Sequence, residues 1–361
     1  MVRLRCPRCG AEDQPADPAG LLGGPDANGE LACTACGQTY PVVDGIPMIY
    51  VDDHRWRSKQ RECEGWEALN RELGQIHYEG IGAPPVDFDI PYIDDEHWAG
   101  IAENFDRIIE GLDFEGKSVL DVGAGRPWAA KNFALRGAHA VAIDVVAHPV
   151  VGLGRGWEMM KEAGIDFELF VGDSENMPYA SNAFDYVFIS AAMHHTNFMR
   201  ALAREMARVL KPGGMLLAIN EPFRSASEDE ADLLLQSALP ELRHGITERR
   251  PSAAEYFRAV AAAGLEITEA RLGVDLDDPQ RIWDNLTQPG LIPPRQEWID
   301  AAAPRRFARA FHTRFRNLAA EIELRRSLPR GTAGIRSSHA QMMAVLYSRS
   351  ELNIRAVKPL R

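Results

Sequence analysis

Long apolar runs are missing from this 361-residue chain. No stretch approaches the roughly 20 consecutive apolar residues of a membrane-spanning helix. Met1-Val-Arg-Leu-Arg-Cys6 opens without an apolar signal core, so a cytoplasmic protein is the expectation. Positive charge is also short. Lys and Arg number 40 against 52 Asp and Glu, a formal net charge of -12, which argues against general nucleic-acid binding through a basic surface. The deficit is uneven: residues 301–361 hold 13 basic and 3 acidic side chains, which leaves residues 1–300 at -22. A basic end on an acidic body suits an anionic partner and suits a solvated helical face equally well. Cysteine is scarce, at five residues, and four of them fall within the first 36 positions. In a chain expected to stay in a reducing compartment, that clustering favours metal binding over disulfides.

The four early cysteines form two pairs, Cys6-Pro-Arg-Cys9 and Cys33-Thr-Ala-Cys36, each followed by a glycine. Four thiolates suit tetrahedral zinc, and a closed four-cysteine shell leaves no position for a reacting water, so the expected role is structural. Cys63 stands alone with no activating neighbour and reads as an idle thiol. After Cys36 the chain continues Gly-Gln-Thr-Tyr-Pro-Val-Val-Asp-Gly-Ile-Pro-Met-Ile, in which Asp44-Gly45 is a good hairpin turn. This stretch resembles the Trm112-like zinc module. The resemblance implies a module over residues 1–50 that supports a methyltransferase domain. Residues 51–115 read as a helical linker or lid, with Trp98, Ile101, Phe105, Ile108 and Leu112 at helical spacing.

From 116 to 361 strands and helices alternate. Ser118-Val-Leu-Asp-Val reads as a buried parallel strand entering the turn Asp121-Val-Gly123-Ala124-Gly125. A helical stretch follows, then Ala140-Val-Ala-Ile-Asp144, a second strand ending in an acid that can accept both hydroxyls of a ribose. A nicotinamide enzyme would use a similar turn, but Trp128 occupies the place of its third glycine. The chain continues with Gly172-Asp173-Ser174-Glu-Asn-Met-Pro, Phe184-Asp-Tyr-Val-Phe-Ile-Ser190, Met193-His194-His195 and Arg208-Val-Leu-Lys-Pro-Gly-Gly214. In that order these motifs resemble the class I S-adenosylmethionine-dependent methyltransferase family, in its type 11-like branch, over about residues 117–221.

The resemblance implies a Rossmann-like α/β fold, a seven-stranded sheet with helices on both faces. The small zinc-ribbon-like module and helical insertions at about 226–245 and 275–337 would be additions to it. It also implies S-adenosylmethionine as cofactor. Asp121 and the turn Gly123, Ala124 and Gly125 would hold the methionine end, and Asp144 the ribose. Asp173 and Ser174 would lie along the adenine, and Ser190 would flank the methionine. Pro127 departs from the family, where a third glycine is frequent, and removes an N–H at the helix start.

At the strand ends His194, His195 and Glu221 are the candidates for moving an acceptor proton or orienting the acceptor. One imidazole packed structurally is the plainer alternative, since positioning alone supplies much of the rate of an in-line displacement. Ala340–Tyr347 reads as the last strand. Phe307, Phe311, Phe315, Leu318 and Ile322 form an apolar helical stripe with Arg305, Arg306, Arg309, Arg314 and Arg316 around it, a face for the core or for an anionic substrate or surface. The expected activity is methylation of oxygen or nitrogen on a small-molecule or glycan-type substrate. An RNA or protein methyltransferase and a non-catalytic cofactor-binding scaffold are the rivals.

Overall fold

The computed structural model describes residues 2–14, 24, 26–74, 88–224, 230, 234, 240–272 and 350–360. The amino-terminal part holds β1 (Leu4–Arg5), β2 (Glu12–Gln14), β3 (Gly29–Ala32), β4 (Thr39–Val43) and β5 (Ile46–Ile49). Two helices follow, α1 (His54–Glu72) and α2 (Glu96–Ile109). Then come β6 (Ser118–Val122), α3 (Trp128–Ala134), β7 (His139–Asp144), α4 (Arg155–Ala163), β8 (Glu168–Gly172) and β9 (Phe184–Ser190). The chain continues through α5 (Met199–Val209), β10 (Leu210–Phe223), α6 (Pro240–Arg243), α7 (Ala253–Ala262), β11 (Glu266–Leu272) and β12 (Ser350–Val357).

Ten strands form one sheet in the order β11-β12-β10-β9-β6-β7-β8-β5-β4-β3. The five strands from β8 to β10 run parallel to their neighbours, and β12 and β11 close one edge antiparallel. Parallel strands covered on both faces need continuous apolar runs. Val119-Leu120 of β6 and Ala140-Val-Ala-Ile143 of β7 supply them, and all are buried. One face packs against α5 and α7 through Leu202, Met206, Phe257 and Val260. The opposite face packs against α2, α3 and α4 through Phe105, Phe133 and Met159. Phe105 meets the rings of Trp128, Phe133 and Phe188 at 5.3–5.6 Å between centroids.

The seven strands β8-β7-β6-β9-β10-β12-β11 are the expected sheet, and three more extend it. Met48 and Ile49 of β5 pair in parallel with Val171 and Gly172 of β8. The hairpin β4–β5 and strand β3 therefore continue the main sheet, a pairing that the sequence analysis did not address. Among the described residues only the short β1–β2 pair forms a sheet of its own.

The strand between β10 and β11 is Ser350–Val357, whose Leu352, Ile354 and Ala356 alternate inward and are fully buried. Residues 340–347, read above as the last strand, lie outside the described residues, as do the 275–337 insertion with its arginine-rich stripe and most of 226–239. Among the described residues no helix is long and apolar enough to cross a membrane.

Strand order reverses between β6 and β9. In open α/β sheets that reversal opens a crevice beyond the carboxyl ends of the strands. The loops after β6, β7, β8 and β9 all reach it.

Candidate functional site

A cavity of about 310 Å³ occupies this crevice, near the lower end of the roughly 300–1,000 Å³ range of small-molecule sites. Gly123, Gly125, Asp144, Ser174 and His195 line it, so five of the residues singled out from sequence converge on one space. Gly123 has φ +65°, and a Cβ there would stand 2.6 Å from the Cβ of Ala192 in the loop after β9. Nothing larger than glycine fits between these two loops. Gly125, at φ +51°, has no atom within 4 Å of its would-be Cβ, so its backbone is open to a ligand.

Asp144 ends β7 at the cavity wall. Its Oδ2 accepts the Gly125 N–H at 2.9 Å and its Oδ1 the Val146 N–H at 2.8 Å. These bonds fix the carboxylate while leaving lone pairs for further donors. Burial raises the Asp144 carboxyl above its ordinary value, against the neighbouring amides, which favour the charge. Asp173 follows β8 and holds its own loop by accepting the Glu175 N–H at 2.9 Å. Ser174, the next residue, lines the cavity.

Asp121 and Ala124 do not line the cavity. Asp121 lies behind the glycine turn, 3% exposed, and accepts the Ala130 N–H at 3.0 Å in the first turn of α3. Burial, against that bond, pushes its carboxyl up to about 7. Ser190 is not a wall residue either. Its Oγ accepts from Asn220 Nδ2 at 3.1 Å, and Asn220 belongs to a cluster in which Asn104 of α2 and Asn353 of β12 bond it and each other.

The loop after β9 forms a single turn of 3₁₀ helix, Met193–His195. Fully buried Glu221 organises it: Oε1 accepts the Ala192 and Met193 N–H groups at 2.9 Å each, and Oε2 faces His194 Nδ1 at 3.2 Å. The two histidines therefore differ. Burial disfavours charge on His194, but Glu221 and Glu248 outweigh it and raise its imidazolium to about 9. Burial and the neighbouring His194 push His195 down to about 4. The His195 Nδ1 bonds the Thr247 carbonyl, and its ring lies edge-on to Trp66 at 5.4 Å. Of the three candidates for acceptor chemistry, only His195 lines the cavity, with Glu221 and His194 stacked behind it.

Helix α1, within the stretch read above as a helical linker or lid, closes the cavity with Trp66 and with Lys59, Glu62 and Asn70, three residues the sequence did not single out for a site. Lys59 pairs with Glu175 at 3.1 Å, the two side chains 6% and 4% exposed. Glu62 accepts the Thr247 N–H at 2.9 Å and so ties α1 to the His195 side. Spacing along α1 carried a weak signal, since Lys59, Glu62, Trp66 and Asn70 lie one turn apart. Cys63 on the same helix donates to the Val145 carbonyl at 3.0 Å, and burial raises its thiol to about 12, so it is unreactive.

At the amino terminus all four cysteines are free thiols whose sulfurs lie within 4.8 Å of one another. Cys6–Cys36 and Cys9–Cys33 are both 3.8 Å apart between sulfurs. Two sulfurs at about 2.3 Å from one tetrahedral ion are separated by about 3.8 Å, so the set fits zinc. The first cysteine turn is clamped to the Asp173–Ser174 loop. Asn176 Nδ2 donates to the Pro7 carbonyl at 3.1 Å, Arg5 donates to Asn176 Oδ1 at 3.1 Å, and the Arg5 N–H meets the Pro178 carbonyl at 2.9 Å.

Residues 120–218 match the protein family described as "Methyltransferase domain". A demethylmenaquinone methyltransferase of Corynebacterium glutamicum is 37% identical over 111 residues, 30% of this chain and 44% of that protein. The phthiotriol/phenolphthiotriol dimycocerosates methyltransferase 1 of Mycobacterium ulcerans is 32% identical over 152 residues, 42% of this chain and 54% of that protein. The chain thus spans about half the length of these relatives. Among solved structures, a geranyl diphosphate methyltransferase in complex with GPP and sinefungin superposes with a TM-score of 0.50 at 15% identity, covering 84% of this chain and 99% of the other. At that identity the likeness is one of fold.

Proposed function

We propose that this chain, whose residues 120–218 form a class I S-adenosylmethionine-dependent methyltransferase domain, methylates an apolar small molecule of lipid or quinone type. The observation that carries the reading is the convergence of the Gly123–Gly125 turn, Asp144, Ser174 and His195 on one cavity at the strand-order reversal. The residues present fit the cofactor. Backbone at Gly123 and Gly125 is bare enough for close approach, a fixed carboxylate stands where a ribose diol would donate, and Ser174 lies further along the same wall. Asp121 would then act indirectly, by capping α3 and bracing the turn.

When bound, the cofactor supplies a sulfonium-activated methyl group. The chain's own task is to align an acceptor for in-line displacement and to exclude water. Trp66 with Ile143, Val145, Val146 and Val151 makes much of the wall apolar. His195 is the wall residue placed to hold the acceptor's reacting atom, with Glu221 and His194 keeping the loop after β9 in position. The names of the sequence relatives, which specify demethylmenaquinone and phthiotriol/phenolphthiotriol dimycocerosates, support an acceptor of quinone or lipid type over a glycan. The arginine stripe that suggested an anionic substrate lies outside the described residues.

A Trm112-like module over residues 1–50 belongs to the same proposal, with Cys6, Cys9, Cys33 and Cys36 holding a structural zinc that braces the adenine-side loop.

The test is methyl transfer from isotopically labelled S-adenosylmethionine into a fractionated cell extract, with Asp144→Ala protein as control. Label in the lipid fraction, lost in the variant, supports the reading. Label in RNA or protein overturns the substrate class. Cofactor binding with no label in any fraction favours a scaffold.

A further inference from the structure

The start of α5 carries side chains that the helix itself does not explain. No side chain caps it; Phe198 stands at the cap position with 59% of its surface exposed. Arg200 lies in the first turn, where the positive end of the helix dipole disfavours a cation. Arg204 follows one turn later, where like charges repel. Both arginines are exposed, and among the described residues neither meets a carboxylate.

Beside them a groove of about 320 Å³ runs between the starts of α5 and α7, lined by Phe198, Arg200, Arg249, Glu255 and Arg258 among others. Glu255 is the one carboxylate among the described residues of its wall. It is already engaged by the Ser252 N–H and hydroxyl, and by Arg224 and Arg249 at 3.5 and 3.6 Å. Three guanidinium groups thus share a wall with one carboxylate, on a chain whose net charge is -12. A local positive excess on an acidic body, beside an exposed aromatic ring, calls for an anionic partner that also has an apolar phase.

We propose that Phe198, Arg200, Arg204 and Arg258 form a docking surface for a lipid bilayer that contains anionic phospholipid. The guanidinium groups would donate paired N–H bonds to lipid phosphates, and the ring of Phe198 would enter the boundary between headgroups and acyl chains. A single free phosphate would leave this ring, and the spread of arginines over two helices, unused. Phe198 lies two residues beyond Thr196, which lines the cavity, so a bilayer on this face would lie beside the loop after β9. An apolar acceptor would then reach the cavity from the bilayer with little passage through water. This delivery role rests on the lipid- or quinone-type substrate proposed above, whereas bilayer binding itself does not.

The experiment is co-sedimentation of the full chain with vesicles of phosphatidylcholine alone, and of phosphatidylcholine and phosphatidylglycerol in equal parts. Wild type is compared with Phe198→Ser and with the double variant Arg200→Glu/Arg204→Glu, each checked for retained fold by circular dichroism. Glutamate at the start of α5 suits the helix dipole, so lost binding in the double variant would not reflect a lost fold. The expected result is that wild type sediments with the mixed vesicles, less so as salt is raised, and not with phosphatidylcholine alone. Binding should fall about tenfold or more in each variant. Equal sedimentation of wild type and a folded variant, or of wild type with both kinds of vesicle, overturns the surface. Release of wild type from mixed vesicles by inorganic phosphate, but not by chloride at the same ionic strength, assigns the groove to free phosphate and overturns it too. Vesicle binding as expected, with methyl transfer to no acceptor of the lipid fraction, would count against the substrate reading and leave the docking surface standing.

Discussion

At the residue scale, the glycine turn and the acid behind it make separable predictions. Gly123 combines a left-handed φ with a would-be Cβ 2.6 Å from Ala192. Gly123→Ala should therefore push the loops after β6 and β9 apart and weaken S-adenosylmethionine binding at least tenfold by calorimetry. Asp121 predicts a pH effect. Its folded pKa, about 7, is raised from the ordinary 3.8 by burial. The native state therefore holds a proton that the unfolded state has lost between those values. The stability associated with this group is complete below about pH 4 and declines as pH rises through about 7. Asp121→Asn should flatten that decline in thermal melts of cofactor-free protein between pH 5 and 8, and an unchanged slope would contradict the assignment.

At the scale of elements, the cysteine turn and the Asp173–Ser174 loop behave as one unit through Asn176. One neutral hydrogen bond, to the Pro7 carbonyl at about 0.5–1.5 kcal/mol, and one from the charged Arg5 guanidinium at about 1.5–3 kcal/mol place the loss in Asn176→Ala at about 2–4.5 kcal/mol. The variant should melt at lower temperature and bind S-adenosylmethionine several-fold more weakly, because Ser174 lies two residues from the clamp. Removing metal from the cysteines with a chelator should weaken cofactor binding in the same direction. A lowered melting temperature with unchanged cofactor affinity would show that the clamp supports the fold alone.

Elements also differ in how far the sequence exposed them. The strands β6 and β7 were readable because both faces are covered, so Val119-Leu120 and Ala140–Ile143 form uninterrupted apolar runs beside local glycine and acid signals. β12 was missed because its period-two pattern, Leu352-Asn-Ile-Arg-Ala356, is short, and its partners lie 80 or more residues away in β10 and β11. The joining of β5 to β8 is likewise a register choice more than 120 residues apart in sequence, which no local pattern encodes. The same holds within the site. Gly123, Gly125, Asp144, Ser174 and His195 belong to sequential motifs, whereas Lys59, Glu62, Trp66 and Glu248 join them only through the fold.

At the scale of the whole molecule, ten strands make one sheet, with a cysteine-rich extension at one edge and a cavity at the strand-order reversal. Helix α1 links the two. It leaves the extension through the stacked pair Tyr50–Trp56 at 3.7 Å and then supplies one wall of the cavity. Support of the cavity wall by the amino-terminal part is thus built into the chain's connectivity. As proposed above, this cavity holds S-adenosylmethionine through Asp144. That binding is tested most directly by calorimetric titration of the cofactor into wild-type and Asp144→Ala protein. One cofactor per wild-type chain is expected, with an affinity about 10–100-fold weaker in the variant, the loss of charge-assisted hydrogen bonds worth about 1.5–3 kcal/mol. Equal affinity in both proteins, or no binding to the wild type, would contradict it.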